Sequence, residues 1–365
     1  MGETKFRYKE ICDAIAEQIK NGEYKKGSLL PSEGYLSEKY GANRGTVRKA
    51  LGLLVSSGLV KKEVGVGTRV ISNSATSAVH DQNSAPHRAI SFIMADDKNH
   101  NRRFTQPFYS ELFSNLDREC AAAGCQLIYF SPNNLDSCIS HLQNEKSSSV
   151  IFVSRTEEYY IRAAQQMGLR TFLVNDRMSN VTSITYDNLA GASDAMKALY
   201  SFGHRNIAVI AGPENYYSSK MKVTGCLKAS LELGIPFDPE NILYGDWEFQ
   251  SGYSLTKDLI HSRSRSELPT ALFCLNDMMA VGAMKALREL GFSVPGDISV
   301  MGFDNMEQLQ YTEPTLSTVD TNKQLMAKLI VSSAALPDLA KDFSGVHIVV
   351  PTSLIMRKSV DRPVR

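Results

Sequence analysis

Pro31-Ser32-Glu33-Gly34-Tyr35-Leu36-Ser37-Glu38-Lys39-Tyr40-Gly41-Ala42-Asn43-Arg44-Gly45-Thr46-Val47-Arg48-Lys49-Ala50-Leu51-Gly52-Leu53-Leu54 decides how the chain is read. Ser32 can cap a helix that starts at Glu33, with Pro31 just outside it. Leu36 and Tyr40 are four apart and share a face. Gly41 supplies the left-handed position that ends a helix at little cost. Asn43 can cap a second helix after a turn of the length usual for a helix-turn-helix. That helix carries Val47, Ala50, Leu51 and Leu54 on one side, while Arg44, Thr46, Arg48 and Lys49 fall mainly elsewhere. A recognition helix needs this division, with its early residues free for base edges. Arginine is the commonest reader of guanine, through a bidentate pair to O6 and N7. Gly58-Leu59-Val60-Lys61-Lys62 and Thr68-Arg69-Val70-Ile71 read as two short strands. Gly65 and Gly67 lie in the turn between them, giving a wing that can reach the minor groove or phosphates.

Residues 6–71 resemble the winged-helix domain of the GntR family. The matching pieces are Gly22 and Gly27 before Leu30-Pro31-Ser32-Glu33, the run Arg44 through Leu51, Gly58-Leu59-Val60, and Gly65-Val66-Gly67-Thr68. The resemblance implies double-stranded operator DNA as a partner. It assigns the contacts to Ser32, Asn43, Arg44, Thr46, Arg48, Lys49, Gly65 and Gly67. The family usually places a basic residue directly after Pro-Ser-Glu. Here Gly34 stands there, which removes one contact.

Charge supports this division. Residues 1–71 hold 13 Lys+Arg against 8 Asp+Glu, and the rest of the chain holds 27 against 31. The overall net charge of +1 therefore hides a basic head on an acidic body, the electrostatic footprint of a DNA-binding domain. A length of 365 residues allows two or three domains. No run of eighteen apolar residues is present, so no membrane span or membrane partner is expected. Residues 9–20 repeat Ile11, Ile15 and Ile19 at spacing four, a helix backing the recognition pair rather than a signal region. The six cysteines, at 12, 120, 125, 138, 226 and 274, contain no C-x-x-C pair. They read as reduced thiols of a cytoplasmic protein, with no metal site and no cofactor. Residues 72–88 are rich in Ser, Ala and Asn without apolar periodicity, and read as a linker between a domain at 1–71 and another at 89–365.

From residue 89 the pattern becomes apolar strands alternating with amphipathic helices. Strands are predicted over 89–94, 126–130, 150–153, 171–174, 207–210, 271–275 and 298–301. Helices are predicted over 108–124, 138–144, 157–168, 190–202, 221–234, 252–262 and 277–290. This is an α/β pattern of parallel sheets covered by helices, whose ligands bind at the carboxyl ends of strands. No G-x-G-x-x-G follows the first strand, and no P-loop, nucleophile elbow or H-E-x-x-H occurs. An enzyme reading has no constellation to rest on.

Polar residues do gather at strand ends: Asp176, Asn276-Asp277 and Asp304, with Trp247 in Gly245-Asp246-Trp247-Glu248. Asp and Asn can bridge adjacent hydroxyls, and an indole face packs on the C–H side of a sugar ring, so a small polyhydroxyl ligand suits this set. Taken singly, an Asn or Asp after a strand is a helix cap and a Trp is core.

Together they resemble the LacI/GalR-type effector domain, related to periplasmic sugar-binding proteins, from about 87 to 358. The matching residues include Tyr186-Asp187-Asn188, Phe202-Gly203-His204-Arg205-Asn206-Ile207-Ala208, Gly245-Asp246-Trp247, Asn276-Asp277, Val294-Pro295-Gly296-Asp297-Ile298-Ser299-Val300, Gly302-Phe303-Asp304 and Pro314-Thr315-Leu316-Ser317-Thr318-Val319. The resemblance implies two lobes, about 89–186 with 318–345, and about 187–317 with the C-terminal strand, around an effector cleft. It nominates Asp176, Trp247, Asn276 and Asp304 as effector contacts, with Lys222 where the family usually has Arg, three before Gly225. Lysine replaces a planar fork by a point charge, so the ligand or its orientation differs from the family's common sugars. Asp97 and Phe108 are the first-lobe contacts, flanking a loop longer than usual. The whole resembles arabinose-repressor-type hybrids: a winged helix-turn-helix fused to a two-lobed, periplasmic-binding-protein-like domain. That implies a homodimeric repressor of carbohydrate utilisation released by a pentose or deoxyhexose. A purine or sugar phosphate is the alternative effector.

Overall fold

The computed structural model describes residues 7–56, 59–63, 67–71, 88–94, 106–335 and 345–364. The chain divides into two compact units, Met1–Pro86 and His87–Arg365.

In the first unit, helices α1 (Arg7–Lys20), α2 (Glu33–Lys39) and α3 (Arg44–Ser56) precede an antiparallel pair, β1 (Val60–Glu63) and β2 (Gly67–Val70). Ile11, Ile15 and Ile19 are all buried, as their spacing requires, against Leu36, Val47, Ala50, Leu51 and Leu54. Ser32 accepts a hydrogen bond from the Tyr35 amide at 3.2 Å and so starts α2. Gly41 takes the left-handed conformation, φ +54°, that ends it. Asn43 Oδ1 accepts from the Thr46 amide at 2.8 Å and starts α3. The wing has a further member: the Leu30 amide donates to Thr68 O at 2.8 Å and the Val70 amide to Ser28 O at 2.9 Å, so residues 28–30 pair beside β2. Gly58, Gly65 and residues 72–87 of the expected linker lie outside the described residues, while Arg88, expected in the linker, already opens a strand.

The second unit contains two parallel sheets. One has six strands in the order β13-β7-β6-β5-β3-β4, formed by His347–Val350, Thr182–Tyr186, Arg170–Val174, Ser149–Val153, Arg88–Ile93 and Cys125–Phe130. The other has four, β11-β10-β8-β9, formed by Ser299–Met301, Ala271–Cys274, Ile207–Ala211 and Ile242–Tyr244. Strands β5, β7, β8 and β10 are buried along their whole length, because helices cover both faces. Helices α4 (Pro107–Ala122), α5 (Leu135–Asn144), α6 (Glu158–Gln166) and α11 (Lys323–Ala335) belong to the first sheet. Helices α7 (Asn188–Ser201), α8 (Tyr217–Leu233), α9 (Phe249–Ser262) and α10 (Asp277–Glu289) belong to the second.

The chain passes between these lobes after β7, again after β12 (Thr318–Asp320), and between β13 and β14 (Ser353–Ile355). Strands β12 and β14 pair antiparallel with each other. The third crossing falls beyond Val350, not near 345, because His347–Val350 pairs in parallel with β7.

Candidate effector cleft and DNA-contact face

The carboxyl ends of strands from both lobes meet around one cavity of about 40 Å3. The first lobe contributes Gln106, Phe108 and Tyr109 from the start of α4, and Asn175 from the turn after β6. The second contributes Tyr216, Ser218 and Lys222 from the start of α8, with Trp247, Asn276 and Asp304. Of the residues named from sequence, Phe108, Lys222, Trp247, Asn276 and Asp304 thus come together. Asp97 lies outside the described residues.

Asp176 requires correction: it does not line the cavity. Strand β6 ends at Val174, and Asn175, at φ +58°, is the residue that faces inward. The Asp176 carboxylate turns back to accept the Arg177 amide at 2.8 Å. Burial raises its pKa, opposed by that hydrogen bond and by Arg155. Asn175 Oδ1 is buried and has no hydrogen-bond partner among the described residues. An amide oxygen left so is costly unless something donates to it.

Lys222 is 4% exposed. Its ammonium donates to Leu275 O at 2.8 Å, lies 3.6 Å from Asp304 Oδ1, and stands 3.8 Å from the centre of the Phe303 ring. Burial lowers its pKa, while Asp304 and Asp277 oppose the shift. Burial likewise raises the pKa of Asp304, opposed by Lys222 and Lys323. A buried charge is retained when it is paired and hydrogen-bonded, and Lys222 meets both conditions through Asp304 and the Leu275 carbonyl. Behind it, Lys323 reaches the carbonyls of Asp304 and Asn305 and pairs with Glu111 at 3.2 Å.

Trp247 holds a left-handed backbone, φ +74°, and lays its indole on Gly212. A Cβ at Gly212 would stand 2.0 Å from the ring, so only glycine admits this wall. Asn276 has the bland role as well as the sited one. Its Oδ1 accepts the Met279 amide at 2.9 Å, capping α10, and its Nδ2 donates to Trp247 O at 2.8 Å.

Among the described residues, three sets of bonds join the lobes across the cleft. Gln106 donates to Glu248, the Glu307 amide donates to Glu111 Oε1 at 3.0 Å, and Lys323 donates to the 304–305 carbonyls. Sequence reasoning missed Gln106, Tyr109, Asn175, Tyr216 and Ser218. The strand-end rule reaches Asn175 and the loop before α8 if strand ends are placed to the residue. Gln106 and Tyr109 carry no such signal, since they lie at a helix start.

On the first unit, Ser32 and Asn43 are exposed caps, and Gly67 turns at φ +136°. Thr46 is partly exposed, with its hydroxyl on Asn43 Oδ1 at 3.0 Å. Arg48 and Lys49 are exposed on α3. The Arg44 side chain and Gly65 lie outside the described residues. Arg48 is not free: its Nη2 donates to Glu33 Oε2 at 2.8 Å and its Nε lies 3.2 Å from the same oxygen. Lys62, on the wing, reaches Glu33 Oε1 at 3.4 Å.

Family models for bacterial regulatory proteins of the gntR family match residues 7–70, and for a periplasmic binding protein-like domain residues 196–360. The HTH-type transcriptional repressor PurR of Photorhabdus laumondii is 31% identical over 263 residues, 70% of this chain and 76% of that protein. The lac repressor dimer bound to operator and an anti-inducer superposes with a TM-score of 0.64 at 23% identity, covering 75% of this chain and 94% of that one. A complex of the transcriptional regulator CelR with cellobiose does so at 0.66 and 20%, covering 96% and 99%. Such relatives are transcriptional regulators, PurR and the lac repressor being repressors by name, and not enzymes. The chain belongs to the HTH-type transcriptional repressors, with a gntR-family DNA-binding head joined to a LacI-type effector domain.

Proposed function

We propose that this repressor is released from its operator by a neutral polyhydroxylated molecule bound between the lobes, a sugar of pentose or deoxyhexose size. The charge balance of the cleft carries this reading. Its lining holds one cation and one anion, Lys222 and Asp304, and they pair with each other. A phosphate therefore finds no unpaired cation among the described lining residues. The unpartnered Asn175 Oδ1 and the amides and hydroxyls of Gln106, Ser218 and Asn276 suit hydroxyl groups. A cavity of about 40 Å3 has room for about three waters. A sugar enters only as the lobes part, so binding is coupled to hinge motion and to the three inter-lobe sets of bonds. Each ligand state must bind the protein differently for switching to follow.

Four aromatic residues in the lining, Phe108, Tyr109, Tyr216 and Trp247, favour a second reading, a neutral purine or nucleoside. The chain works as a cytoplasmic homodimer on a pseudo-palindromic operator in this proposal, with a recognition helix in each half-site. We place the pairing at an apolar groove of about 520 Å3 on the second lobe, where Phe249, Met284, Phe292 and Pro314 are flanked by an 81% exposed Tyr311.

Trp247 is the single tryptophan of the chain. Titration of the full chain with aldoses, deoxysugars, sugar phosphates, purines and nucleosides, followed by its fluorescence and by operator release, tests the reading. A saturable response to one sugar is expected. A response to a nucleobase alone, or to a phosphate ester alone, overturns the sugar assignment.

A further inference from the structure

We infer that Glu33 is a specificity-determining residue of the DNA-contact face, acting by holding Arg48 and cancelling part of the charge around it. The inference rests on α3 being the recognition helix. Three elements converge here: Glu33 opens α2, Arg48 lies one turn into α3, and Lys62 lies on the wing. Glu33 takes Nη2 and Nε of Arg48 and the Lys62 ammonium. Its side chain is 25% exposed, while those of Arg48 and Lys62 are 67% and 64% exposed. The carboxylate is thus the fixed member and the cations are the exposed ones. The Arg48 hydrogen bond also holds the Glu33 carboxyl below its usual range, so it stays ionised at neutral pH.

Guanidinium has five N–H donors in a fixed fork. Glu33 occupies the Nε side, which leaves the Nη1 edge directed and free for a base. It also reduces the cluster from two positive charges to one. Sequence-independent binding scales with the phosphates neutralised, whereas base reading depends on fork geometry. Holding one arginine and cancelling one charge therefore weakens binding to any DNA and sharpens discrimination among sequences. Gly34, next in the chain, adds no cation to offset this.

The test uses the full chain and two duplexes: one selected by the wild type from a random pool, and a scrambled one of equal length. Across a salt series, E33Q should bind the scrambled duplex about tenfold more tightly, with a salt slope steeper by about one. The ratio of selected to scrambled affinity should fall by about tenfold. In a chain already carrying R48M, E33Q should leave that ratio unchanged. An unchanged ratio for E33Q in the wild-type background, or the same loss with and without Arg48, overturns the inference. If E33Q lacks the wild-type helical circular dichroism, E33D serves instead: it keeps the charge but shortens the reach. It should lower the ratio without steepening the slope, and an unchanged ratio again overturns the inference. R48M binding the selected duplex as the wild type does removes α3 as the recognition helix, and this inference with it.

Discussion

The DNA-contact face and the effector cleft hold their polar residues in opposite ways. On the head, Arg48 and Lys62 lie open to water and lean on one carboxylate. In the cleft, Lys222 and Asp304 are 4% and 7% exposed, and each has partners from several elements. The head's residues are therefore cheap to change without harming the fold, and under the proposed reading changes there are expected to act on DNA binding. The cleft's residues are part of the core of the second lobe, and under the proposed reading changes there are expected to act on stability and ligand together.

The largest effect is expected at Asp304. Asp304→Ala leaves the Lys222 ammonium buried beside Phe303 without its anion. Loss of a buried partner costs about 3–5 kcal/mol. Denaturant unfolding should show that loss, and Asp304→Ala combined with Lys222→Met should be less destabilised than Asp304→Ala alone. Equal stability of Asp304→Ala and wild type would make the cleft as tolerant as the head.

Gly212→Ala comes next. The added methyl meets the indole at 2.0 Å, and forcing a group into a packed site costs about 1–3 kcal/mol. Displaced tryptophan emission and a weakened effector response are expected, with operator affinity kept in the absence of effector. On the head, Arg48→Ala should cost about 1–3 kcal/mol in operator binding and relax base preference, with thermal unfolding of the chain little changed. A large drop in melting temperature instead would show that Arg48 is structural.

The smallest effect concerns pH. His204 is 1% exposed, with Nδ1 2.9 Å from Thr270 Oγ1 and Nε2 2.9 Å from Asp361 O. Burial lowers its pKa. A lowered imidazole pKa means that the unfolded chain takes the proton first as pH falls. The stabilising contribution is therefore complete above the ordinary imidazole value, roughly pH 6.5, and is lost as pH drops below it. His204→Gln should flatten the dependence of unfolding free energy on pH between about 5 and 7.

The same contrast explains what was legible in the sequence. The head is written in local chemistry. Ser32, Gly41 and Asn43 each do their work within three residues of themselves, so one window reveals them. Most of the parallel strands are legible because burial on both faces makes them continuous apolar runs; β7 is the exception, buried throughout although Thr182, Ser183 and Thr185 are polar, and no strand is predicted there. Strands β9, β12 and β14 have only three residues each and β13 only four, too few to show a period, whereas the equally short β10 and β11 are legible because apolar neighbours such as Leu275 and Ile298 extend them. Helix α11 has no counterpart among the predicted helices, although Leu325 and Leu329, and Met326 and Ile330, recur at the helical spacing of four. In the cleft, Trp247, Asn276 and Asp304 lie just beyond strands, where ligands of such sheets collect, whereas Lys222, more than a turn into α8, is legible only through the family resemblance. Asn175 was displaced by its neighbour Asp176, since a carboxylate is the more conspicuous residue and only the backbone turn decides which of the two faces inward. Gln106 and Tyr109 arrive from another element altogether, and tertiary structure alone brings them in.

The three crossings between lobes have a consequence for synthesis. The head completes its core by Val70. The first sheet lacks its outer strand until His347–Val350 has been made, and the second lobe waits for Ser359, whose amide and hydroxyl reach Thr315 and Val300. At about 5–20 residues per second, the stretch between these points takes roughly 15–60 s to translate. For that interval every nascent chain carries a completed head and an unfinished effector domain, so the two units of the molecule do not mature together.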